Sequence, residues 1–265
     1  MTLENFGTDI ESILLIGGSG YIGKNFNSIF SKIGINVKVL DLRYIENFSL
    51  SDFNFIIDLS MLGRNELSWV NKSINKFQVN HDLLLNKIKK NEKNYIRISS
   101  VFDIRSFARN DDYTKLSKQI SVRILDTLPN LGKIVYAHAI YGGQNSTSFI
   151  DNAILYNKFS AESIRDYVHI DELAKVILQI LGEYKMHPRE IEIGTARPYL
   201  SKNIQQYLLD QSNNTLDVAD PKSLKFQQLE KNHLVCSAIQ GSIQGVSKIL
   251  ADDKIISYLA RSKSI

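Results

Sequence analysis

The residues with the clearest chemical purpose are Gly17-Gly18-Ser19-Gly20-Tyr21-Ile22-Gly23, which follow the apolar run Ile13-Leu14-Leu15-Ile16. Glycines spaced this way divide three jobs. One lets the chain turn sharply out of a strand, one lets bare main chain approach a pyrophosphate, and one lets a helix pack closely on a sheet. A helix starting at such a turn offers N–H groups and the positive end of its dipole to phosphates. The chemistry served is recognition of a dinucleotide. A purely structural turn uses the same glycines, but the buried strand before and amphipathic helix after are the context the binding motif requires. Asp41 closes the next apolar run, Val37 to Leu40. A carboxylate there accepts hydrogen bonds from adenosine ribose hydroxyls and repels a 2′-phosphate, which favours NAD. Arg43, two residues on, is suited to pair with that phosphate, so NADP stays open.

Those residues need a scaffold, and the hydrophobic pattern supplies one. The runs at Ile13–Ile16, Val37–Leu40, Phe55–Leu59, Tyr95–Ile98 and Lys133–Ala137 read as strands. Between them, the residues after Gly23 up to Lys32, Val70 to Lys90 and Leu116 to Leu128 read as helices, with Gly34 ending the first. Strand and helix alternate, which predicts an α/β fold: a Rossmann-like, doubly wound parallel sheet. The stretch from Leu42 to Asn54 is too short for a full helix plus strand, so the sheet is expected to be trimmed there.

Composition narrows the field. A net charge of +4, from 32 Lys and Arg against 28 Asp and Glu, is mild, and the lysines are mostly scattered. That argues against a nucleic-acid partner. A single cysteine, Cys236, allows no intrachain disulfide and suits a reducing cytoplasm. No signal peptide and no run of about 20 apolar residues is seen, so no membrane span is expected. His81, His138, His187 and His233 lack metal-ligand spacing, so no metal site is expected. His169 and Trp69 read as packed residues, and Cys236 as a small buried one.

Further landmarks carry a family resemblance. Asn80 in Val79-Asn80-His81-Asp82, Ser99-Ser100 at a strand end, Tyr141-Gly142-Gly143, and Glu192-Ile193-Gly194-Thr195 follow the glycine turn in order. The longest is Arg165-Asp166-Tyr167-Val168-His169-Ile170-Asp171-Glu172-Leu173-Ala174. Together they resemble the extended short-chain dehydrogenase/reductases of the NAD-dependent epimerase/dehydratase type, which act on nucleotide sugars. The resemblance implies a cofactor site built from Gly17, Ser19, Gly20, Tyr21, Ile22 and Gly23 of the turn. The strand ends Asp41, Leu42, Leu59, Ser60 and Ser99 and the ribose-binding Lys118 complete it. It implies a catalytic set of Ser100, Tyr113 and Lys118, and substrate contacts from Tyr141 and Arg165, the latter holding a diphosphate. It also implies a dinucleotide-binding domain over 1–145, rejoined by 166–196, and a small substrate lobe from 146–165 and 197–265. The helices over 70–90 and 116–128 resemble those that pair in family homodimers.

The family places its tyrosine four residues before the lysine, and here that position holds Thr114. Tyr113 lies five before Lys118, roughly 140° away on a regular helix. Three readings stay open: Tyr113 precedes the first helical turn and swings in, a local widening absorbs one residue, or Thr114 fills the slot. The implied function is an NAD(P)-dependent oxidoreductase or epimerase of a nucleoside-diphosphate sugar, with a 4-keto reductase favoured by the short segments. The competing reading is a dinucleotide-binding or regulatory protein with altered catalysis.

Overall fold

The computed structural model describes residues 10–61, 71–103, 112–143, 164–194 and 198–200. The expectations for Trp69, His233, Cys236 and most of the substrate lobe fall outside them.

A central sheet carries the strands β1 (Ser12–Ile16), β2 (Asn36–Leu40), β3 (Phe55–Asp58), β4 (Asn94–Ser100), β5 (Gly132–Ala137) and β8 (Glu190–Ile193). Their order is β2-β1-β3-β4-β5-β8. The pairs β1–β2, β1–β3 and β3–β4 are parallel. β1, β3 and β5 are buried along their whole length, which is why apolar residues dominate them, with Asp58 in β3 and Lys133 in β5 as buried charges. β2, largely open on its edge, is Asn-Val-Lys-Val-Leu.

Helices α1 (Tyr21–Lys32), α2 (Asn71–Lys90) and α3 (Asp112–Thr127) connect β1 to β2, β3 to β4 and β4 to β5. One core cluster joins Leu14, Ile16 and Ile56 of the strands to Leu84, Ile88, Ile120 and Ile124 of α2 and α3. Between β2 and β3 stands only a short 3-10 turn, Leu42–Tyr44. The trimming expected there is real, and Lys87 of α2 holds the segment by donating to the carbonyls of Glu46 and Phe48. α3 starts at Asp112 rather than near Leu116.

The chain divides into two compact units, Met1–Tyr136 with Ala174–Ile191, and Ala137–Leu173 with Glu192–Ile265. The second holds β6 (Ala139–Tyr141), β7 (Ile164–His169) and β9 (Pro198–Leu200), in the order β6-β7-β9. β6 runs parallel to β7, and β9 runs antiparallel to it. Helix α4 (Ile170–Gly182) follows β7 directly and opens with Asp171 and Glu172, matching its dipole.

Inside the first unit, β3, β4 and α2 meet at a buried carboxylate. Asp58, with no solvent exposure, accepts hydrogen bonds from Tyr95 Oη at 2.5 Å, Arg97 Nη1 at 2.9 Å and His81 Nε2 at 3.1 Å. Burial alone would raise its pKa, but the Arg97 charge and the His81 hydrogen bond outweigh burial and hold it well below the usual carboxylate range. Burial and the Asp58 charge push the Tyr95 phenol far up, so it stays a neutral donor. Removing one partner of such a pair leaves the other charge stranded. Asp58→Asn is therefore expected to cost about 3–5 kcal/mol in denaturant unfolding at neutral pH. Because the folded-state pKa lies below the unfolded value near 3.9, this stabilisation is complete above about pH 4. It is lost as pH falls through the folded value, so the gap between wild type and variant should narrow below pH 4. A gap that stays constant down to pH 3 would contradict the assignment.

Candidate functional site

The order β2-β1-β3 makes the C-terminal ends of β1 and β3 a switch point, where consecutive connections leave in opposite directions. Open α/β sheets bind ligands in the crevice this creates. A cleft of about 490 Å³ lies in the first unit, lined by Gly17, Ser19 and Gly20 after β1 and by Asp41, Leu42 and Arg43 after β2. Leu59, Ser60 and Met61 after β3 and Lys76, Phe77 and Asn80 of α2 close it.

The glycine turn is shaped by close approach. Gly17 has φ +72°, and a Cβ there would stand 2.8 Å from both Cα and N of Ser60. A Cβ on Gly23 would overlap the main chain of Gly18. Gly20 differs: an added Cβ would meet only the Gly17 carbonyl, at 3.7 Å, because this residue faces the cleft. Gly20 is also the N-cap of α1 and gives the helix no side-chain cap, while Lys24 N donates to its carbonyl at 3.0 Å. Helix amides and a dipole end thus stand beside bare main chain, and this donor set fits a diphosphate. Ile22 and Gly23, expected in the cofactor set, belong to that first turn, with Gly23 buried beneath it.

Asp41 ends β2 with its carboxylate at the cleft, and Arg43 lies across it. Arg43 Nη2 reaches Oδ2 at 2.6 Å, while its Nε contacts both oxygens at 3.0 Å. These hydrogen bonds hold the Asp41 carboxyl below the usual carboxylate range. The pair is exposed, 69% for Arg43 and 37% for Asp41, so it is held by little, within about 1 kcal/mol.

Ser99 and Ser100 end β4, half-buried, as expected. Ser99 Oγ donates to Asp103, and Ser117 Oγ of α3 donates to the same oxygen at 2.5 Å. Asp103 thereby fastens the end of β4 to α3. In α3, Thr114 and Ser117 are buried, Tyr113 is half-buried and Lys118 is exposed. Tyr113 lies within the helix, which is α-helical from Asp112 to Thr127. The expectations that it precedes the first turn, or that a widened turn absorbs a residue, are therefore corrected. Thr114 keeps the four-residue spacing to Lys118.

In the second unit Tyr141 is fully buried, edge-on to His169 at 5.1 Å and to Tyr167 at 6.5 Å between ring centroids. His169 Nδ1 accepts from Asp171 N, a packed role of the kind expected. Arg165 pairs in β7 opposite Tyr199 of β9, and its side chain lies outside the described residues. His138, half-buried, and the buried Glu192 make a contact at 2.6 Å. Among the described residues, no group of three or more His, Cys, Asp and Glu is arranged to hold a metal. None of the helices described is long and apolar enough to cross a membrane.

Sequence reasoning missed Asp58, Arg97, His81 and Asp103. A signal existed for the first two. Each interrupts an apolar strand with a charge, of opposite sign, and the two stand directly opposite in the β3–β4 register.

No protein-family model and no curated protein sequence matches the chain. Solved structures do. The chain is similar to an NAD-dependent NDP-hexosamine 5,6-dehydratase, TunA, involved in tunicamycin biosynthesis, at 17% identity and a TM-score of 0.59, over 76% of this chain and 81% of that one. It is similar to a dTDP-4-dehydrorhamnose reductase from Clostridium acetobutylicum at 15% identity and 0.58, covering 78% and 82%. An L-threonine dehydrogenase from Clostridium difficile matches at 14% identity and 0.66, covering 96% and 98%. The chain shares with these enzymes an α/β fold built on a parallel, Rossmann-like sheet. In that fold the first β-turn-α unit and the ends of β2 and β3 form the nucleotide crevice, which is where the cleft lies here.

Close packing at the turn makes a separable prediction. Gly23→Ala forces main chain apart and should cost about 1–3 kcal/mol in denaturant unfolding. Gly20→Ala should leave stability within about 0.5 kcal/mol. Equal losses in the two variants would refute the geometry of the turn.

Proposed function

We propose that the chain is an extended short-chain dehydrogenase/reductase that binds NAD, with NADP as the alternative, and acts as an oxidoreductase or epimerase on a nucleotide-activated sugar. Our specific reading is reduction of a 4-keto sugar. The observation that carries the proposal is the switch-point cleft itself, where bare main chain, a helix start and a strand-end carboxylate converge. Gly17, Ser19, Gly20, Tyr21, Ile22 and Gly23 would cradle the pyrophosphate, Asp41 and Leu42 the adenosine, and Leu59, Ser60 and Ser99 the far wall. When bound, the nicotinamide supplies hydride transfer.

The remaining chemistry belongs to side chains. Ser100 would hydrogen-bond the reacting oxygen, and Tyr113 would exchange a proton with it. A phenol with a pKa near 10 is a poor base at neutral pH, and a nearby ammonium lowers that value. Lys118 would supply that charge and hold the nicotinamide ribose. Arg165 would pair with the sugar nucleotide's diphosphate, a role its planar fork of donors suits. Tyr141, enclosed by rings, keeps its substrate role on family resemblance alone. The nucleotide-sugar reading draws on the dehydratase and reductase that share the fold, and the threonine dehydrogenase keeps non-sugar substrates among the outcomes of the test. The domain division expected from sequence, a dinucleotide-binding domain over 1–145 rejoined by 166–196 and a small substrate lobe from 146–165 and 197–265, belongs to this proposal. So do a cytoplasmic location and a homodimer through α2 and α3. Val79 on α2 and Val122 on α3 are exposed and suit such pairing.

A second reading is favoured by one observation: Tyr113 sits inside a regular helix, five residues from Lys118. A dinucleotide-binding or regulatory protein with altered catalysis fits that register. Turnover of a panel of nucleoside-diphosphate 4-keto sugars with NADH or NADPH decides between them. The enzyme reading predicts that Lys118→Ala and Tyr113→Phe each lower turnover by about a hundredfold or more. Unaltered turnover in Lys118→Ala overturns the mechanism. Tight cofactor binding with no turnover across the panel, and none of L-threonine with NAD, supports the second reading.

A further inference from the structure

Two walls of the cleft come from separate parts of the chain. One is the irregular segment Leu59–Met61 after β3, and the other is the face of α2 carrying Lys76, Phe77 and Asn80. Both are tied to one buried carboxylate. Asp58 Oδ1 accepts the Ser60 main-chain N–H at 2.8 Å and the Ser60 hydroxyl at 2.5 Å. Its Oδ2 accepts His81, which follows Asn80 in the chain and stacks on Phe77 with ring centroids 6.1 Å apart.

Arg97 completes the arrangement. Its Nη1 donates both to Asp58 and to the Ser60 carbonyl at 3.2 Å, and its Nη2 contacts Met61 Sδ at 3.5 Å. The Ser60 peptide groups are thus fixed on both sides, N–H by Asp58 and C=O by Arg97, at a point where the β1–β3 register has ended. A buried turn has to satisfy its main-chain groups somewhere, and here an ion pair does it. The same pair reaches across to α2 through His81.

We propose that Asp58, acting through Ser60 and His81 and supported by Arg97, is a positioning residue that sets the spacing between these two walls of the dinucleotide site. It touches no ligand itself. The inference rests on the dinucleotide-binding reading above. A merely structural role would make every donor to Asp58 equivalent, whereas a positioning role makes them unequal. His81 carries a wall of the cleft. Tyr95 donates to the same oxygen from β4 and lines none of it.

The test is a fluorescence titration of NADH onto the full chain, paired with thermal melts, for His81→Leu, Tyr95→Phe and His81→Gln. His81→Leu should weaken NADH about tenfold, because displaced walls lose contacts that depend on sub-ångström placement. Tyr95→Phe should lower the melting temperature yet keep affinity within about twofold: the lost hydroxyl bonds Asp58 and lies 3.3 Å from His81 Nε2, but His81 keeps its own bond to Asp58. His81→Gln returns an N–H near the Nε2 position and should recover most of the affinity. If His81→Leu gives no cooperative melt, Arg97→Lys carries the test. It keeps the charge but not the reach to both Asp58 and Ser60, and should weaken NADH about fivefold. Affinity unchanged in the folded His81 or Arg97 variant, or lowered equally in Tyr95→Phe, overturns the proposal alone. A wild-type chain that binds no NADH overturns the dinucleotide reading, and this inference falls with it.

Discussion

Main chain meets main chain where α1 crosses the end of β1, and the cleft depends on that approach. Gly23 lies against Gly18 so closely that even a methyl group cannot be admitted, and Gly17 turns against Ser60 in the same corner. Side chains at these places would lift the helix from the sheet. Its first amides would then no longer stand at the switch point between β1 and β3. The N-terminus of a helix attracts an anion only within about its first turn, so a shift of that size removes the site rather than weakening it.

The second constraint is electrostatic and works from below. Asp58 and Arg97 are both buried, and neither would be tolerated there without the other. Each also does something an apolar pair could not: it answers the hydrogen-bonding needs of the chain leaving β3. The rim is built on the opposite principle. Arg43 and Asp41 are paired in water, where the pair is weak and can be rearranged by a ligand. A buried, mutually satisfied ion pair behind the cleft and an exposed, weak pair at its rim suit the dinucleotide site proposed above.

Much of this was legible in the residues, and what was legible was local. The glycine turn, the buried strands and the shortened stretch after Leu42 are written in adjacent residues, because turn geometry and strand burial are decided over a few positions. The start of α3 was placed too late. Asp112, Tyr113 and Thr114 lack an apolar periodicity of their own, yet they are carried into the helix by burial of Thr114 and Ser117. The Asp58 network was not legible as a site, since its members come from β3, α2 and β4 and only the fold brings them together. The opposite charges within two apolar strands were the one trace it left in the sequence. Asp103 left none, because a lone Asp after a strand is most often a turn residue.

The claim beneath all of this is that the corner formed by Gly17, Gly20 and the start of α1 holds a diphosphate. Isothermal calorimetry with NAD and NADP, each in oxidised and reduced form, tests it most directly. Saturable heat with at least one of the four, lost in Gly20→Ala while the fold is kept, is the predicted result. No heat from any of them with well-folded protein would contradict the account.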